Sequence, residues 1–472
     1  MDFVKSSIAK TGSDSFRDRI ATVDDKGKRK WVFAKKPKGR FYNARTYVSW
    51  FFFILFFALP FVHIKGRPIF LFNIPETKFI LFGQIFWPQD FFIFGITMVT
   101  FIVFIILFTA AFGRLFCGWV CPQTIFMEMF FRKIEYMIEG DANAQKMLSK
   151  SPWNREKIIK KTAKHLVFYG MSFLIANTFL AYVIGVKELS KIVTEPVSQH
   201  LGGLAAIAIF SGVFYAVYAY FREQICTVVC PYGRLQSVLL DRNSMVVAYD
   251  YVRGEPREKL KKQAIEPAGD CIDCMQCVNV CPTGIDIRNG TQMECVGCTA
   301  CIDACDAIMI KINRAPGLIR YASENGISDK KPLRFTGRMK FYSALLVVLT
   351  GLLAFLLISR KDIDATVMRT PGMLYHERGA DSVTNLYNIK IVNKTILDVP
   401  LNIQIHTPHG KVEQVGGATI MVKKEGQGSG SFFVVLPKSL ITERKTEISL
   451  GLYQGNKLLD NVTTNFLGPI SN

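Results

Sequence analysis

CIDCMQCVNVCP, residues 271–282, and CVGCTACIDAC, residues 295–305, are the two stretches that decide how this chain folds. Each places four cysteines in the pattern C-x2-C-x2-C-x3-C, the spacing of bacterial two-cluster ferredoxins. In that pattern three closely spaced thiolates bind one cluster and the fourth binds the other. The sequence therefore predicts two 4Fe-4S clusters in a ferredoxin-like segment. The expected ligands are Cys271, Cys274, Cys277 and Cys305 for one cluster, and Cys281, Cys295, Cys298 and Cys301 for the other.

A pair of zinc knuckles is the alternative, because C-x2-C spacing also suits zinc. Eight cysteines in a duplicated ferredoxin spacing favour iron and sulfur. The two halves differ in one respect: Pro282 follows Cys281, whereas Asp306 follows Cys305. The negative charge of Asp306 is expected to lower the reduction potential of the nearer cluster. Such clusters transfer single electrons, and this segment alone names no substrate.

The four remaining cysteines form a second repeat, FGRLFCGWVCPQT at 112–124 and FREQICTVVCPYG at 221–233. Each contains the motif CxxxCP, with Cys117 and Cys121 in the first copy and Cys226 and Cys230 in the second. Spacing of i, i+4 predicts that both thiols of a pair lie on one helix face, and the proline predicts that the helix ends at the second cysteine. Soft thiolates can hold copper or a further cluster, or form a redox-active dithiol, and these alternatives stay open. Ordinary buried cysteines are the plainer interpretation, but duplication at matching positions favours a functional site.

Several polar residues outside the cysteine motifs have two interpretations. Arg114 and Arg234 could lower the pKa of the CxxxCP thiols, but we favour a role as basic residues flanking membrane spans. His406 and His409 in HTPH could bind copper, yet an exposed polar role is preferred. His63 is interpreted as an interfacial polar residue and not as a haem or quinone ligand.

Composition indicates a membrane protein. Half of the residues are apolar, phenylalanine occurs 38 times and the mean hydropathy is +0.22. Five apolar runs can cross a hydrocarbon core about 30 Å thick. They are 46–64, Phe91–Phe112, 165–186, Leu201–Phe221 and 341–359, and Pro60 is expected to kink the first. The apolar stretch 67–90 contains Pro68, Pro75 and Pro88, which predicts an interfacial hairpin and not a sixth span.

The charge of +20 is concentrated beside the apolar runs, and no nucleic-acid-binding motif accompanies it. Basic residues are dense at 1–45, 113–164 and 222–340, which predicts a cytoplasmic amino terminus and an external carboxyl terminus. No apolar run precedes residue 46, so no cleavable signal peptide is expected. All twelve cysteines lie between Cys117 and Cys305, which predicts that they lie in a reducing compartment.

The sequence after residue 359 alternates short β-branched runs with turn residues, which favours an immunoglobulin-like antiparallel β-sandwich. The predicted fold is a multi-domain membrane protein with an α-helical transmembrane bundle. Its predicted parts are a basic cytoplasmic arm (1–45), a four-helix region with both CxxxCP motifs (46–240), a cytoplasmic ferredoxin-like α+β insert (241–340), a fifth membrane helix (341–359) and a periplasmic β-domain (360–472).

With these features assembled, the chain resembles the FixG/RdxA/CcoG family of cytochrome c oxidase accessory proteins over essentially its whole length. Polyferredoxins of NapH type are similar in the CxxxCP and ferredoxin elements but lack the β-rich tail found here. The resemblance implies a bacterial inner-membrane protein that reduces Cu(II) to Cu(I) during assembly of a cbb-type oxidase. By the same resemblance, Cys117, Cys121, Cys226 and Cys230 match the thiols proposed to meet copper, and the eight later cysteines match the cluster ligands.

The implied partners are the oxidase, its copper-delivery proteins and a separate electron donor, since no nucleotide-binding fingerprint is present. A homodimer is also considered. Two alternatives remain, namely an electron conduit between a quinone pool and a periplasmic partner, and a non-catalytic assembly scaffold.

Overall fold

The computed structural model describes residues 21–469 except 25, 65, 75–77, 88–89, 260–268, 332–333, 380, 417–419 and 442. The first twenty residues of the basic arm, and Pro75 and Pro88 of the expected hairpin, therefore lie outside the described residues. The chain forms two compact units, Met1–Leu352 and Leu353–Asn472.

Among the described residues, five helices are long and apolar enough to cross a membrane, the same number as the predicted apolar runs. In chain order, the α-helices are α1 (Arg40–Ala58), α2 (Phe91–Phe112), α3 (Leu115–Trp119), α4 (Pro122–Thr124), α5 (Arg132–Glu139), α6 (Ala142–Lys150), α7 (Arg155–Ile184), α8 (Val186–Thr194), α9 (Leu201–Ala216), α10 (Pro231–Leu239), α11 (Tyr251–Gly254), α12 (Gln276–Asn279), α13 (Ala300–Lys311), α14 (Glu324–Ser328) and α15 (Gly337–Ile358).

Three of the long helices begin before the apolar runs that predicted them. The first begins at Arg40, the third at Arg155 and the fifth at Gly337. Hydropathy marks the hydrocarbon boundary, whereas helical hydrogen bonding continues through polar residues beyond it. At Pro60 the first helix changes to a 3-10 turn, Leu59–Phe61, because proline cannot donate the amide bond of an α-helix interior.

The segment between the first two spans is β-structure, which confirms that it is not a sixth helix. Its strands are β1 (His63–Ile64), β2 (Arg67–Pro68), β3 (Phe70–Asn73), β4 (Lys78–Leu81) and β5 (Gln84–Phe86). Strands β3, β4 and β5 form an antiparallel sheet, and β1 pairs with β2. The three-stranded sheet packs against α7 through β3 and buries Ile80 and Ile85.

The eight-cysteine segment, predicted above at 241–340, folds around a small antiparallel sheet. The strands of this sheet are β6 (Val246–Tyr249) and β7 (Ile319–Ala322). Helices α12 and α13 pack on each other next to this sheet. The buried core between them contains Val247, Ile287, Ile302, Met309 and Leu318. This is the expected α+β arrangement, and α13 also packs against α1.

The second unit is a β-sandwich. Its strands are β8 (Ile363–Arg369), β9 (His376–Arg378), β10 (Ser382–Asn393), β11 (Val399–Thr407), β12 (Lys411–Gln414), β13 (Ile420–Val422), β14 (Gln427–Pro437), β15 (Lys445–Gln454) and β16 (Lys457–Leu467). One sheet has the order β12-β14-β10-β8 with β9 also paired to β10, and the other has the order β13-β11-β15-β16. Inward residues such as Tyr387, Ile389, Leu401, Phe432 and Leu450 are fully buried between the sheets.

Candidate electron-transfer site

Four of the eight ferredoxin-type cysteines surround one cavity. Cys271, Cys274, Cys277 and Cys305 line it, and the remaining lining residues are mostly apolar. Asp273 and Met275 have positive φ angles of 51° and 58°, so the chain turns sharply between successive cysteines. These turns direct thiols that are three residues apart towards the same space.

The other four cysteines surround a second cavity. Cys281, Cys295, Cys298 and Cys301 line it, and Cys277 borders both cavities. Gly297 and Thr299 have φ angles of 68° and 63°, at the positions that match Asp273 and Met275 in the first loop. The duplicated sequence therefore folds into a duplicated loop, and the structure brings together the two sets of four thiols that the sequence grouped.

The chemistry of these two sets suits iron–sulfur clusters. Burial, with smaller contributions from neighbouring thiols, raises the pKa of Cys277 and of Cys305 to about 12. Thiolates in such a setting need cationic metal for stability. Among the described residues, no three Cys, His, Asp or Glu side chains converge on a single-ion site. Two cavities, each lined by one of the two sets of four cysteines, suit a multi-atom group, whereas a zinc knuckle would place four ligands on one ion.

Charged residues of both signs lie near the first cavity. Arg288 lines that cavity and pairs with Asp273 at 2.5 Å and Asp286 at 2.7 Å. Asp306 accepts a hydrogen bond from the Gly317 amide at 2.7 Å, and its charge raises the pKa of Cys305. The sequence identified Asp306 but missed Arg288, since an arginine in a loop carries no distinctive spacing.

Both CxxxCP motifs leave the helical conformation at the second cysteine, as the prolines predicted. Cys121 and Cys230 are extended, with ψ angles of 123° and 112°. The backbone hydrogen bonds at these cysteines differ from those of a regular α-helix. The Cys121 amide bonds to the carbonyl of Phe116, and the Cys230 amide to that of Ile225, both five residues earlier. A wide final turn replaces α-helical geometry because the following proline holds the second cysteine extended.

The structure brings the four CxxxCP thiols into one electrostatic neighbourhood. Burial raises the pKa of Cys117 to about 11, because it outweighs the lowering effect of Arg114 and is reinforced by Cys121 and Cys230. Burial likewise raises the pKa of Cys226 to about 12, and the other three thiols add to that rise. Two loops separated by about a hundred residues of sequence thus lie close enough for their thiols to interact electrostatically.

Arg114 is a buried part of this cluster, which corrects its interpretation as a residue flanking a span. Its Nε donates to Gln236 Oε1 at 3.2 Å, and its Nη1 donates to the Met293 carbonyl. The Cys117 thiol donates to the same Gln236 oxygen at 3.1 Å. Arg234 is exposed, as expected for a flanking residue. Gln236 is fully buried, and sequence reasoning missed it because no motif contains it.

The CxxxCP thiols lie directly against the loop of the second cavity. A Cβ atom added to Gly118 would lie under 3.0 Å from backbone atoms of Val296 and Gly297. Cys226 packs against the buried group formed by Val280, Val296, Cys298 and Ala300. The two cysteine motifs are therefore joined by van der Waals contact.

Further contacts fix the eight-cysteine segment to helices α1 and α3. The Asp303 carboxylate accepts hydrogen bonds from the amides of Phe41 at 3.2 Å and Tyr42 at 2.8 Å, at the amino end of α1. Trp119 Nε1 donates to the Tyr321 hydroxyl at 2.9 Å. The described part of the basic arm packs against the eight-cysteine segment too, since the Lys35 amide donates to the Asn279 carbonyl at 2.8 Å.

A buried ion network lies between the connecting helices. Glu135 pairs with Arg222 and, at 3.2 Å, with Lys164, which also pairs with Glu139 at 2.9 Å. Burial raises the pKa of Glu135, but the nearby cations outweigh it and lower that pKa to about 2. These charges are separated by up to about ninety residues of sequence, and their pairing was missed because isolated Glu, Lys and Arg residues resemble solvated ones.

His63, His406 and His409, the histidines that the sequence singled out, make hydrogen bonds or face solvent. His406 Nε2 bonds the Tyr453 hydroxyl at 2.6 Å, and His409 is exposed. His63 is exposed and its Nδ1 bonds the Phe61 carbonyl. None of these three histidines belongs to a group of three potential metal ligands among the described residues.

Three family models match the chain. A "4Fe-4S dicluster domain" matches residues 221–324 and a "4Fe-4S binding domain" matches residues 94–136. The model of the "IG-like fold at C-terminal of FixG" matches residues 353–469. These matches confirm iron–sulfur clusters and the immunoglobulin-like β-domain, and the two iron–sulfur ranges include both CxxxCP motifs.

Known relatives match most of the chain. The nitrogen fixation protein FixG of Rhizobium meliloti is 32% identical, over 90% of each chain. Protein RdxA of Cereibacter sphaeroides is 32% identical, over 86% of this chain and 89% of its own. Protein RdxB of the same organism is 34% identical, over 78% and 80%. A crystal structure of a FixG-related protein from Vibrio parahaemolyticus aligns with 23% of this chain and 97% of its own, at 22% identity and a TM-score of 0.20. Identity above 30% along most of the chain shows that the protein belongs to the FixG/RdxA family of iron–sulfur electron-transfer proteins.

Proposed function

We propose that this member of the FixG/RdxA family is a cupric reductase that supplies Cu(I) for assembly of a cbb-type cytochrome c oxidase. Electrons enter through the eight-cysteine segment and leave at the four CxxxCP thiols. The observation that carries the proposal is the direct packing of the CxxxCP loops on the second cysteine loop, residues 295–301. The contacts are made at Gly118 and at Cys226.

The residues suit this task. Cys271, Cys274, Cys277 and Cys305 would hold one cluster, and Cys281, Cys295, Cys298 and Cys301 the other. Bound clusters would supply one-electron chemistry, and the shared border at Cys277 supports two clusters that are neighbours. Cu(II) accepts one electron at the CxxxCP thiols and becomes Cu(I), the ion that thiolates bind preferentially. No proton needs to move in that step.

The membrane arrangement follows from charge. Basic residues dominate 113–164 and 222–340, which supports cysteines on the cytoplasmic side and a β-domain outside. A cytoplasmic site keeps the thiols reduced, whereas the β-domain is available to the oxidase or to copper-delivery proteins. The electron donor is a separate low-potential protein, since the sequence carries no nucleotide-binding fingerprint.

The proposal is tested with anaerobically purified protein. Iron analysis should give about eight iron atoms per chain. After reduction and removal of the reductant, added Cu(II) should reoxidise the clusters while a Cu(I) chelator develops colour. The double variant Cys117→Ser/Cys226→Ser should keep its iron and lose most of the copper reduction. The matched control is His406→Asn/His409→Asn, which removes the other copper candidates and should leave the rate unchanged.

Other outcomes have distinct meanings. Clusters that stay reduced in the presence of Cu(II) would exclude the reductase. Quinone-dependent oxidation that is indifferent to Cys117 and Cys226 would favour an electron conduit. About twelve iron atoms per chain would place a further cluster at the CxxxCP thiols. Oxidase assembly that survives loss of the cluster ligands would leave a scaffold role.

A further inference from the structure

Arg45 links the two cysteine motifs, although it belongs to neither. It lies on α1, one turn after Phe41, and is 4% exposed. Its Nε donates to the carbonyl of Gly118, inside the first CxxxCP loop, at 2.9 Å. Its Nη1 donates to the carbonyl of Cys298, in the second cysteine loop, also at 2.9 Å. One rigid guanidinium thus holds both loops at the point where they meet.

The charge of Arg45 is directed at this junction. Arginine stays protonated in proteins, and burial strengthens its field because little water screens it. Its two described hydrogen bonds end on carbonyl oxygens. Glu128 lines the same cavity as Arg45 and is paired with Arg132 at 2.9 Å. A positive charge therefore remains beside Cys298.

We propose that Arg45 is a positioning residue for electron transfer, which clamps the CxxxCP loop to the second cysteine loop and sets the potential of the cluster held there. A fixed cation stabilises the reduced, more negative state of a nearby cluster and so raises its reduction potential. The first set of cysteines has Arg288 beside it, but that arginine is paired with Asp273 and Asp286, and Asp306 adds a negative charge near Cys305. The difference favours electron flow from the first cluster to the second and on to the CxxxCP thiols.

The kinetic part of this inference rests on the proposed function, whereas the potential does not involve copper. The clamp needs the planar fork of arginine, because a lysine ammonium at this position reaches the two carbonyls less well. The potential needs only the positive charge. Lysine and glutamine substitutions therefore separate the two effects.

Redox titration followed by EPR on the full-length, iron-loaded protein measures the potential. Arg45→Gln should lower the potential of one cluster and leave the other unchanged, and Arg45→Lys should stay near wild type. Arg40→Gln is the matched control. It removes the same positive charge from the same helix, but at an exposed position. In single-turnover mixing with Cu(II), Arg45→Lys should reoxidise about tenfold more slowly than wild type, because a displaced loop slows transfer.

The outcomes test the charge and the clamp separately. An unshifted potential in Arg45→Gln, or an equal fall in Arg45→Lys, would overturn the role of the charge. If Arg45→Gln fails to load iron, Arg45→Lys decides alone, and a wild-type transfer rate in that variant would overturn the clamp. If wild type leaves Cu(II) unreduced, the proposed function fails, but the potentials of the variants still test Arg45.

Discussion

Asp303 joins a membrane helix to the iron–sulfur segment through one carboxylate. It is 5% exposed and accepts the amides of Phe41 and Tyr42, which begin α1 and have no helical partners of their own. Its charge also complements the positive end of the helix dipole. We expect Asp303→Ala to lower the free energy of unfolding by about 1–2 kcal/mol, measured by thermal unfolding in detergent. Asp329→Ala is the control, since Asp329 is exposed in the same segment. Equal shifts in both variants would contradict the capping role.

Glu135 illustrates a buried ion pair whose loss is costly. Its folded pKa of about 2 lies below the ordinary value of 4.5, so its stabilising contribution is present above pH 4.5 and is lost as the pH falls towards 2. At pH 7, Glu135→Gln leaves Arg222 and Lys164 without this partner and should cost about 3 kcal/mol. Glu156→Gln, which breaks the exposed pair with Lys160, should change the unfolding temperature little. Similar losses in the two variants would show that the buried network is not stabilising.

At the scale of elements, local chemistry was predictable and backbone detail was not. Proline placed the ends of both CxxxCP helices correctly, because its steric effect acts on the neighbouring residue. The left-handed turns at Asp273, Met275 and Thr299 were not foreseen, since such residues rarely adopt positive φ without tertiary constraint. Helix starts at Arg40 and Arg155 were missed because polar residues extend these helices beyond the apolar run.

The contact between α3 and the second cysteine loop gives a prediction for Gly118. Alanine suits a helix, but its Cβ would overlap the backbone of Gly297, which cannot move as a flexible side chain can. We expect Gly118→Ala to destabilise the protein by about 1–3 kcal/mol and to slow reoxidation of the reduced clusters by Cu(II), followed by stopped-flow absorbance. In the control Gly351→Ala, the new Cβ on α15 meets open space. A Gly118→Ala variant with wild-type stability and rate would show that the loops are not in tight contact.

At the scale of the whole molecule, the sequence identified the parts but not how the first unit is assembled. Cysteine spacing grouped the eight ferredoxin-type thiols in two sets of four, and apolar runs gave the five helices. The junction depends instead on Arg45, Gly118 and Cys298, which are up to 253 positions apart. Their pairing follows from the packing of α1 and α13, and no periodicity in one sequence encodes such a contact. Gln236 and Arg114 were missed or misjudged for the same reason.

The β-sandwich should fold without the rest of the chain. Its core is formed within Leu353–Asn472, and residues such as Tyr387, Phe432 and Phe466 are fully buried there. A fragment of residues 360–472 should be soluble, give a β-type circular dichroism spectrum and unfold cooperatively. Phe432→Ala should cost this fragment about 3–5 kcal/mol, and Met421→Ala, at an exposed strand position, should cost far less. The complementary chain, residues 1–359, should keep its iron because all twelve cysteines precede residue 306. A fragment that stays unfolded, or a truncated chain that loses its iron, would show that the two units depend on each other for folding.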